Sequence, residues 1–376
     1  MTTQAPLGPF PPGDHPGRLA RLRQRLAEEG LDALVVTSLV HVRYLTGFSG
    51  SAGRLVLTPE DGLLLTDGRY RTQVEEQLQV AGVRGLVEPR VSGLAGQQEA
   101  LVELLGASGR RVGLEADHLS WSAARRTAEL LPEAELVPTT GLVEGLRLVK
   151  DPAELARLEA AAHVADQALA EVLGLLAPGH QEREVAEALD HAMRRLGAED
   201  RAFETIVASG PNAAKPHARP GDRVLAPGDT VVVDFGATVD GYRSDMTRTF
   251  TLGPVGEDLE AAVALVHEAQ ALGVAAVAPG RATGEVDAAC RDRIAAAGLA
   301  ERFEHATGHG VGLEVHEAPA VAAGATAILA PGVVVTVEPG VYLPGRGGVR
   351  VEDTVVVTDD GCRPLTRFPK EPVLPL

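Results

Sequence analysis

Apolar positions in the first 150 residues switch repeatedly between two periods. Leu19, Leu22 and Leu26 recur at helical spacing through 18–29, and Gly30 ends that run. Leu34-Val35-Val36 follows as an unbroken apolar run of strand length. Two more apolar runs, 53–58 and 63–66, flank the turn residues Pro59-Glu60-Asp61-Gly62, the pattern of a hairpin. Asp67 is placed to cap a helix from about Arg69 to Val80. Helix and strand signals alternate as far as Arg147, which predicts a compact α/β domain. At Lys150-Asp151-Pro152 the pattern changes: Asp151 suits an N-cap, Pro152 suits the first helical position, and a long Ala/Leu/Glu helix follows. The expected division is a flexible N-terminus (1–16), a first domain (17–149) and a second domain (150–376).

The second domain reads as a duplication. Leu225-Ala226-Pro227-Gly228 precedes a β-branched run that ends at Asp234, and Leu329-Ala330-Pro331-Gly332 precedes one that ends at Glu338. In both copies the acid lies six residues after the Gly, and the copies are 104 residues apart. Upstream, Ala177-Pro178-Gly179 and Ala278-Pro279-Gly280 each introduce a helix that ends near a glycine, Gly197 or Gly298. A period this long is not that of a solenoid. It suits two half-domains related by a pseudo-twofold, with helices outside and strands meeting along the axis. After Asp234, the Asp240-Gly241 pair signals a type I′ turn, and the expected return strand 243–250 carries Asp245. After Glu338 comes a Gly-rich loop, 344–348, and the return strand 349–357 carries Glu352. Each hairpin then offers one carboxylate per strand, and the symmetry brings four together.

Composition narrows what such a cluster is for. The formal net charge is −17, and it is uneven: 16 basic and 18 acidic residues lie up to Lys150, against 19 and 34 after it. Nucleic-acid binding needs a basic face to displace counterions, so this acidic chain with 12 Trp, Tyr and Phe residues is read as a non-binder of nucleic acid. No run of about 18 apolar residues marks a membrane span. Met1–Gly13 has no basic n-region or apolar h-region, so no secretory signal is read there. Two cysteines, Cys290 and Cys362, make no disulfide framework and suit a reducing, cytoplasmic compartment. Most of the excess acid is a solvated surface. The four repeat-related acids are different, because carboxylates held together inside a protein repel one another unless cations compensate them. Two divalent ions balance four carboxylates and leave room for one neutral ligand. His309 in Gly308-His309-Gly310 is the candidate, since flanking glycines let the backbone approach closely. Oxygen-rich coordination with one imidazole favours Mn, Co or Fe, with Zn also suitable. A pair of ions about 3.5 Å apart would share a water and acidify it.

The motifs Val233-Asp234-Phe235-Gly236-Ala237, Ser244-Asp245-Met246-Thr247-Arg248-Thr249, Gly308-His309-Gly310-Val311-Gly312, Val337-Glu338-Pro339-Gly340 and Arg350-Val351-Glu352-Asp353 resemble those of the dinuclear pita-bread metallopeptidases. Within that superfamily the chain resembles the Xaa-Pro peptidases, prolidase and aminopeptidase P, over about residues 17–376. Tyr44-Leu45-Thr46-Gly47-Phe48 and Thr66-Asp67-Gly68-Arg69-Tyr70 are similar to segments of the creatinase-like N-terminal domain. The resemblance implies an α+β fold: a creatinase-like α/β N-terminal domain, then a pita-bread C-terminal domain with a pseudo-twofold internal repeat. It implies metal ligands Asp234, Asp245, His309, Glu338 and Glu352, with Asp245 and Glu352 bridging two divalent ions, Mn first among them. It further implies Glu338 as general base, His316 as donor to the developing oxyanion and His217 as a second substrate-contacting histidine.

The substrates it implies are small peptides with proline at position 2, and the protein would be a homodimer. An Xaa-Pro bond has no N–H, which suits a site that works on the carbonyl. His305 and Tyr342 either line a proline pocket or are ordinary packing. Arg350 reaches either the metal carboxylates or the substrate's C-terminal carboxylate, and Arg43 either projects toward the substrate or is a surface residue. The favoured activity is Xaa-Pro dipeptidase. Aminopeptidase P action on longer peptides, a creatinase-like amidinohydrolase, a methionine aminopeptidase and a non-catalytic pita-bread binding module are the alternatives.

Overall fold

The computed structural model describes residues 7–370 and 373–374. They form two compact units: Pro12–Arg147 is one, and the other starts at Leu148 and takes in residues 7–11.

In the first unit, α1 (His15–Glu28) starts at Asp14, whose carboxylate accepts from the Gly17 amide, and it buries Leu19, Leu22 and Leu26. Then come β1 (Ala33–Val36), α2 (Leu39–Thr46), the hairpin β2 (Arg54–Leu57) and β3 (Gly62–Thr66), and α3 (Arg71–Val80). The unit closes with β4 (Glu88–Val91), α4 (Leu94–Leu105), β5 (Arg111–Glu115), α5 (Trp121–Leu130), β6 (Glu135–Thr139) and α6 (Glu144–Arg147). Its strands make one mixed sheet, ordered β4-β3-β2-β1-β5-β6. The β1–β2 and β2–β3 pairs are antiparallel and the others parallel. Asp67 does cap, accepting from the Arg69 amide, but what it starts is a 3-10 turn over Gly68–Tyr70 that precedes α3.

The expected flexible stretch 1–16 divides differently. Residues 1–6 lie outside the described residues. Phe10 lies beneath the Arg157 guanidinium, 5.0 Å from ring centroid to Cζ. His15 and Pro16 already belong to α1, because the Asp14 cap starts the helix one turn before the leucine spacing becomes visible.

In the second unit, α7 (Pro152–Val172) opens with a reciprocal capping box between Asp151 and Glu154. The first half of the duplication continues with α8 (Glu182–Arg195), β7 (Asp200–Arg201), β8 (Ile206–Ser209), β9 (Thr230–Phe235), β10 (Ala237–Val239), β11 (Tyr242–Arg243) and β12 (Met246–Leu252). The second half holds α9 (Glu257–Ala276), α10 (Thr283–Ala296), β13 (Gly308–Gly310), β14 (Glu317–Val321), β15 (Val334–Val337), β16 (Gly340–Leu343), β17 (Gly347–Arg350) and β18 (Asp353–Val357). Short strands β19 (Cys362–Pro364) and β20 (Val373–Leu374) follow.

Each half has its own core, one built on α7, α8, β9 and β12, the other on α9, α10, β15 and β18. The repeat extends to single hydrogen bonds: the Gly228 amide donates to Leu252 and the Gly332 amide to Val357. These two glycines hold φ of 86° and 88°, a left-handed conformation that side chains disfavour. That is why Ala-Pro-Gly punctuates both copies.

Two sequence expectations change. The return strands are interrupted, β11 ending at Arg243 before β12 begins at Met246, and β17 ending at Arg350 before β18 begins at Asp353. Asp245 and Glu352 therefore lie in the breaks, where the chain leaves a small sheet for a larger one. The Asp240-Gly241 turn, with φ of 44° and 76°, joins β10 to β11 rather than the two acid-bearing segments directly. Second, Glu257–Ala276 is long and apolar enough to cross a membrane by length and composition, with a mean hydropathy of 1.2 over its window. Its Ala262, Val266 and Ala269 are buried in the second core, where it packs as a core helix.

Candidate metal centre

Strand β12 joins the two halves. Successive side chains reach across to the other copy: Thr247 donates to Glu352 Oε2 at 2.7 Å, Arg248 to Asp353 Oδ1 at 2.9 Å, and Thr249 to the Arg350 carbonyl at 2.7 Å. Arg248 and Asp353 are only 2% and 4% exposed in their side chains, so this cross-link is protected from water. A buried, charge-assisted hydrogen bond of this kind fixes geometry more than it adds net stability. The consequence is that the break carrying Glu352 lies against the strand that follows Asp245.

Asp234, Asp245 and Glu352 meet there, with one oxygen from each lying within 4.8 Å of the others. Asp234 Oδ2 accepts from Arg350 at 2.6 Å, while Asp234 Oδ1 and Glu352 Oε1 are buried without a partner. Glu338, immediately after β15, faces His309 Nε2 at 3.2 Å, and the same nitrogen lies 3.6 Å from Asp245 Oδ2. All five side chains implied as ligands by the motifs are thus gathered in one place.

Electrostatics sort the carboxylates. Burial first, and then the neighbouring acids, push Asp245 and Glu352 well above the ordinary carboxylate range. Burial also raises Asp234, against the pull of Arg350. Glu338 goes the other way: burial would raise it, but the hydrogen bond and charge of His309 hold it low. Buried, unpartnered carboxylate oxygens crowded together are costly unless a cation meets them. Hard oxygen donors plus one imidazole fit divalent cations.

The surrounding shell is built to aim these groups. His309 donates from Nδ1 to the Gly310 carbonyl at 3.1 Å, and against burial Glu338 raises its pKa, so Nε2 carries a proton toward Glu338 that a bound cation would replace. Thr336 Oγ1 accepts from the His309 amide and donates to Glu338, both at 3.0 Å. Arg350, 3% exposed, is engaged on four sides: Asp234, Tyr342 Oη at 2.8 Å, Thr247 Oγ1 at 3.2 Å and the Pro216 carbonyl at 3.2 Å. Tyr342 Oη in turn donates to His305 Nε2 at 2.8 Å, because His305 Nδ1 already donates to the Ala306 carbonyl. Burial lowers the pKa of His305 and raises that of Tyr342, so both stay neutral in this chain.

A cavity of about 930 Å³ opens over the cluster. Asp234, Asp245, His309, Glu338 and Arg350 form part of its wall, with His217, His305 and His316. The His316 ring stands edge-on to His309, centroids 4.3 Å apart, and its pKa is lowered by burial and then by His309. Arg43 lies in the last turn of α2, half-buried, in the first unit rather than the one that carries this cluster. Thr247 and Thr336 had not been singled out from the sequence. Thr336 is the one hydroxyl in a run of valines and Thr247 is the first of three alternating threonines; the only signal is that each lies two residues from an acid.

The chain is similar to known proteins along most of its length. The model of metallopeptidase family M24 matches residues 156–359, and that of the creatinase/prolidase N-terminal domain matches residues 18–149. The uncharacterized peptidase YqhT of Bacillus subtilis is 42% identical, over 95% of this chain and 99% of its own length. The Xaa-Pro dipeptidase of Pyrococcus furiosus is 34% identical, over 94% and 99%. Among solved structures, the Xaa-Pro dipeptidase from Bacillus anthracis superposes with a TM-score of 0.90 at 39% identity, covering 96% of this chain and all of that one.

Proposed function

Because the chain belongs to metallopeptidase family M24, we propose that it is a metal-dependent Xaa-Pro dipeptidase, hydrolysing the bond before proline in dipeptides. The observation that carries this reading is the convergence of Asp234, Asp245, His309, Glu338 and Glu352, with two buried carboxylate oxygens unpartnered. These five side chains would hold two divalent ions, Mn first. When bound, such ions polarise a carbonyl and acidify water toward neutrality.

The chain's own residues do the rest. Glu338, beside His309 at 3.2 Å, takes the proton that the attacking water gives up. The same carboxyl then returns it to the proline nitrogen as that bond breaks. His316, kept neutral by burial, has one N–H to offer the oxyanion. His217 stands in the wall beside Pro216, whose carbonyl is fixed by Arg350, and we assign it to the substrate. Arg350 supports Asp234 and Tyr342 in this reading rather than binding the substrate carboxylate, since its donors are already engaged. We assign His305, which stands in the wall, to the proline ring, with the Tyr342 hydroxyl fixing it from behind. The two thiols, buried Cys290 and part-buried Cys362, are unpaired. They support a cytoplasmic protein, and the family resemblance supports a homodimer.

The test is turnover of Ala-Pro, Ala-Pro-Ala and Ala-Ala by the Mn-loaded protein. Cleavage of Ala-Pro in strong preference to the other two is expected. Preference for Ala-Pro-Ala would make it an aminopeptidase P, and no turnover of either proline peptide would overturn the reading.

A further inference from the structure

A second group of metal-ligating side chains lies in the first unit, apart from the cluster described above. His41 on α2, His118 in the turn after β5 and Glu144 at the start of α6 bring one ligand atom each to within 4.8 Å of one another. His118 Nε2 is 3.2 Å from Glu144 Oε1, and His41 Nε2 is 3.8 Å from the same oxygen. The two imidazoles stand edge to face, centroids 4.7 Å apart.

What singles this group out is His41. Its side chain is fully buried, and Nε2 has no hydrogen-bond partner. The other ring nitrogen shows why. Glu115 Oε2 is filled by donors, the amides of Thr37 and Ser38 and the Thr37 hydroxyl. Its Oε1 faces His41 Nδ1 at 2.5 Å and can only accept, so Nδ1 carries the proton. The Nε2 lone pair of a neutral His41 is therefore aimed at His118 and Glu144. A carboxylate that fixes a histidine so that its far nitrogen is free is the usual outer support of a metal ligand. His118 and Glu144 are 27% and 31% exposed, which gives an ion a route in.

We propose that His41, His118 and Glu144 form a mononuclear zinc site, with Glu115 as its positioning residue and one coordination position left to water. Two imidazoles and one carboxylate suit Zn²⁺. Ligand atoms at about 2.1 Å from a tetrahedral ion lie about 3.4 Å apart, so a small contraction of the group completes the shell. The ion would tie α2, the end of β5 and α6 together. This proposal is independent of the peptidase reading.

The test uses the full chain, equilibrated with Zn²⁺, passed over a desalting column and analysed for metal by mass spectrometry. His118→Ala and Glu144→Gln should each remove about one zinc per chain relative to the parent, with an unchanged far-ultraviolet spectrum and unchanged Mn-supported turnover. Glu115→Gln should weaken zinc binding by about 10- to 100-fold. Co²⁺ should give tetrahedral d–d absorption that disappears in His118→Ala. Equal zinc content in the parent, His118→Ala and Glu144→Gln would overturn the proposal.

Discussion

Asp234 and Asp245 in the first half of the repeat correspond to Glu338 and Glu352 in the second, yet only the second half adds a nitrogen donor. The strand register shows where the halves part. Ser209 pairs with Val231 and Gly310 with Val335, a displacement of 104 residues in the second strand of each pair. His309 therefore occupies the position of Ala208, and Thr336, which holds both His309 and Glu338, occupies that of Val232. Arg243 and Arg350 are each two residues before an acid, but Arg350 turns onto Asp234 while Arg243 donates to the Ala202 carbonyl at 2.6 Å. Duplication supplies carboxylates in matched pairs. The asymmetry comes from the unmatched residues, a histidine, a threonine and a differently aimed arginine, all in the second half.

The largest expected effect tests what the halves share. Asp245→Asn and Glu352→Gln, equivalent positions, should each lower Ala-Pro turnover by more than about a thousandfold and deplete bound Mn. If only one did so, the two acids would not act as a pair. Next comes the arginine contrast: Arg350→Lys should cost about 10- to 100-fold, because one ammonium cannot serve four acceptors in fixed directions. Arg243→Lys should cost less than about tenfold, and equal losses in steady-state assays would erase the distinction drawn here. Thr336→Val makes the second half like the first. It should weaken Mn binding by roughly tenfold while leaving the fold intact, as read from metal titration.

The smallest effect concerns the metal-free protein. Burial and neighbouring acids raise Asp245 and Glu352 above their ordinary values of 3.8 and 4.5. The metal-free native state thus binds more protons than the unfolded one. That contribution is complete below the ordinary values and is lost as pH rises through the raised ones. The unfolding temperature of chelator-treated protein should therefore fall, relative to that of the Mn-loaded protein, as pH rises above the ordinary carboxylate range, and a parallel pair of profiles would contradict this.

The duplication and its acids were legible in the sequence because each copy is punctuated by Ala-Pro-Gly with a glycine that must be left-handed, and a β-branched run then counts out the distance to the carboxylate. Breaks in the return strands were not legible. Neither Val349–Val357 nor Arg243–Phe250 contains a glycine or proline where the chain changes sheet, so the sequence shows one strand in each. Targets of polar side chains were also hidden. Period two places Arg350 on the side of Glu352 but says nothing of Tyr342 or Pro216. The His41, His118 and Glu144 group went unseen for the same reason. Its members are scattered over about a hundred residues, each in an ordinary context, and only the folded unit brings them together.

Peptide hydrolysis here is expected to depend on divalent ions held by matched acids and one unmatched histidine. Stepwise addition of Mn²⁺ to chelator-stripped protein, with Ala-Pro hydrolysis followed throughout, tests it most directly. The account predicts no turnover in the stripped protein and recovery that saturates at two equivalents per chain. Undiminished hydrolysis in the stripped protein would contradict it.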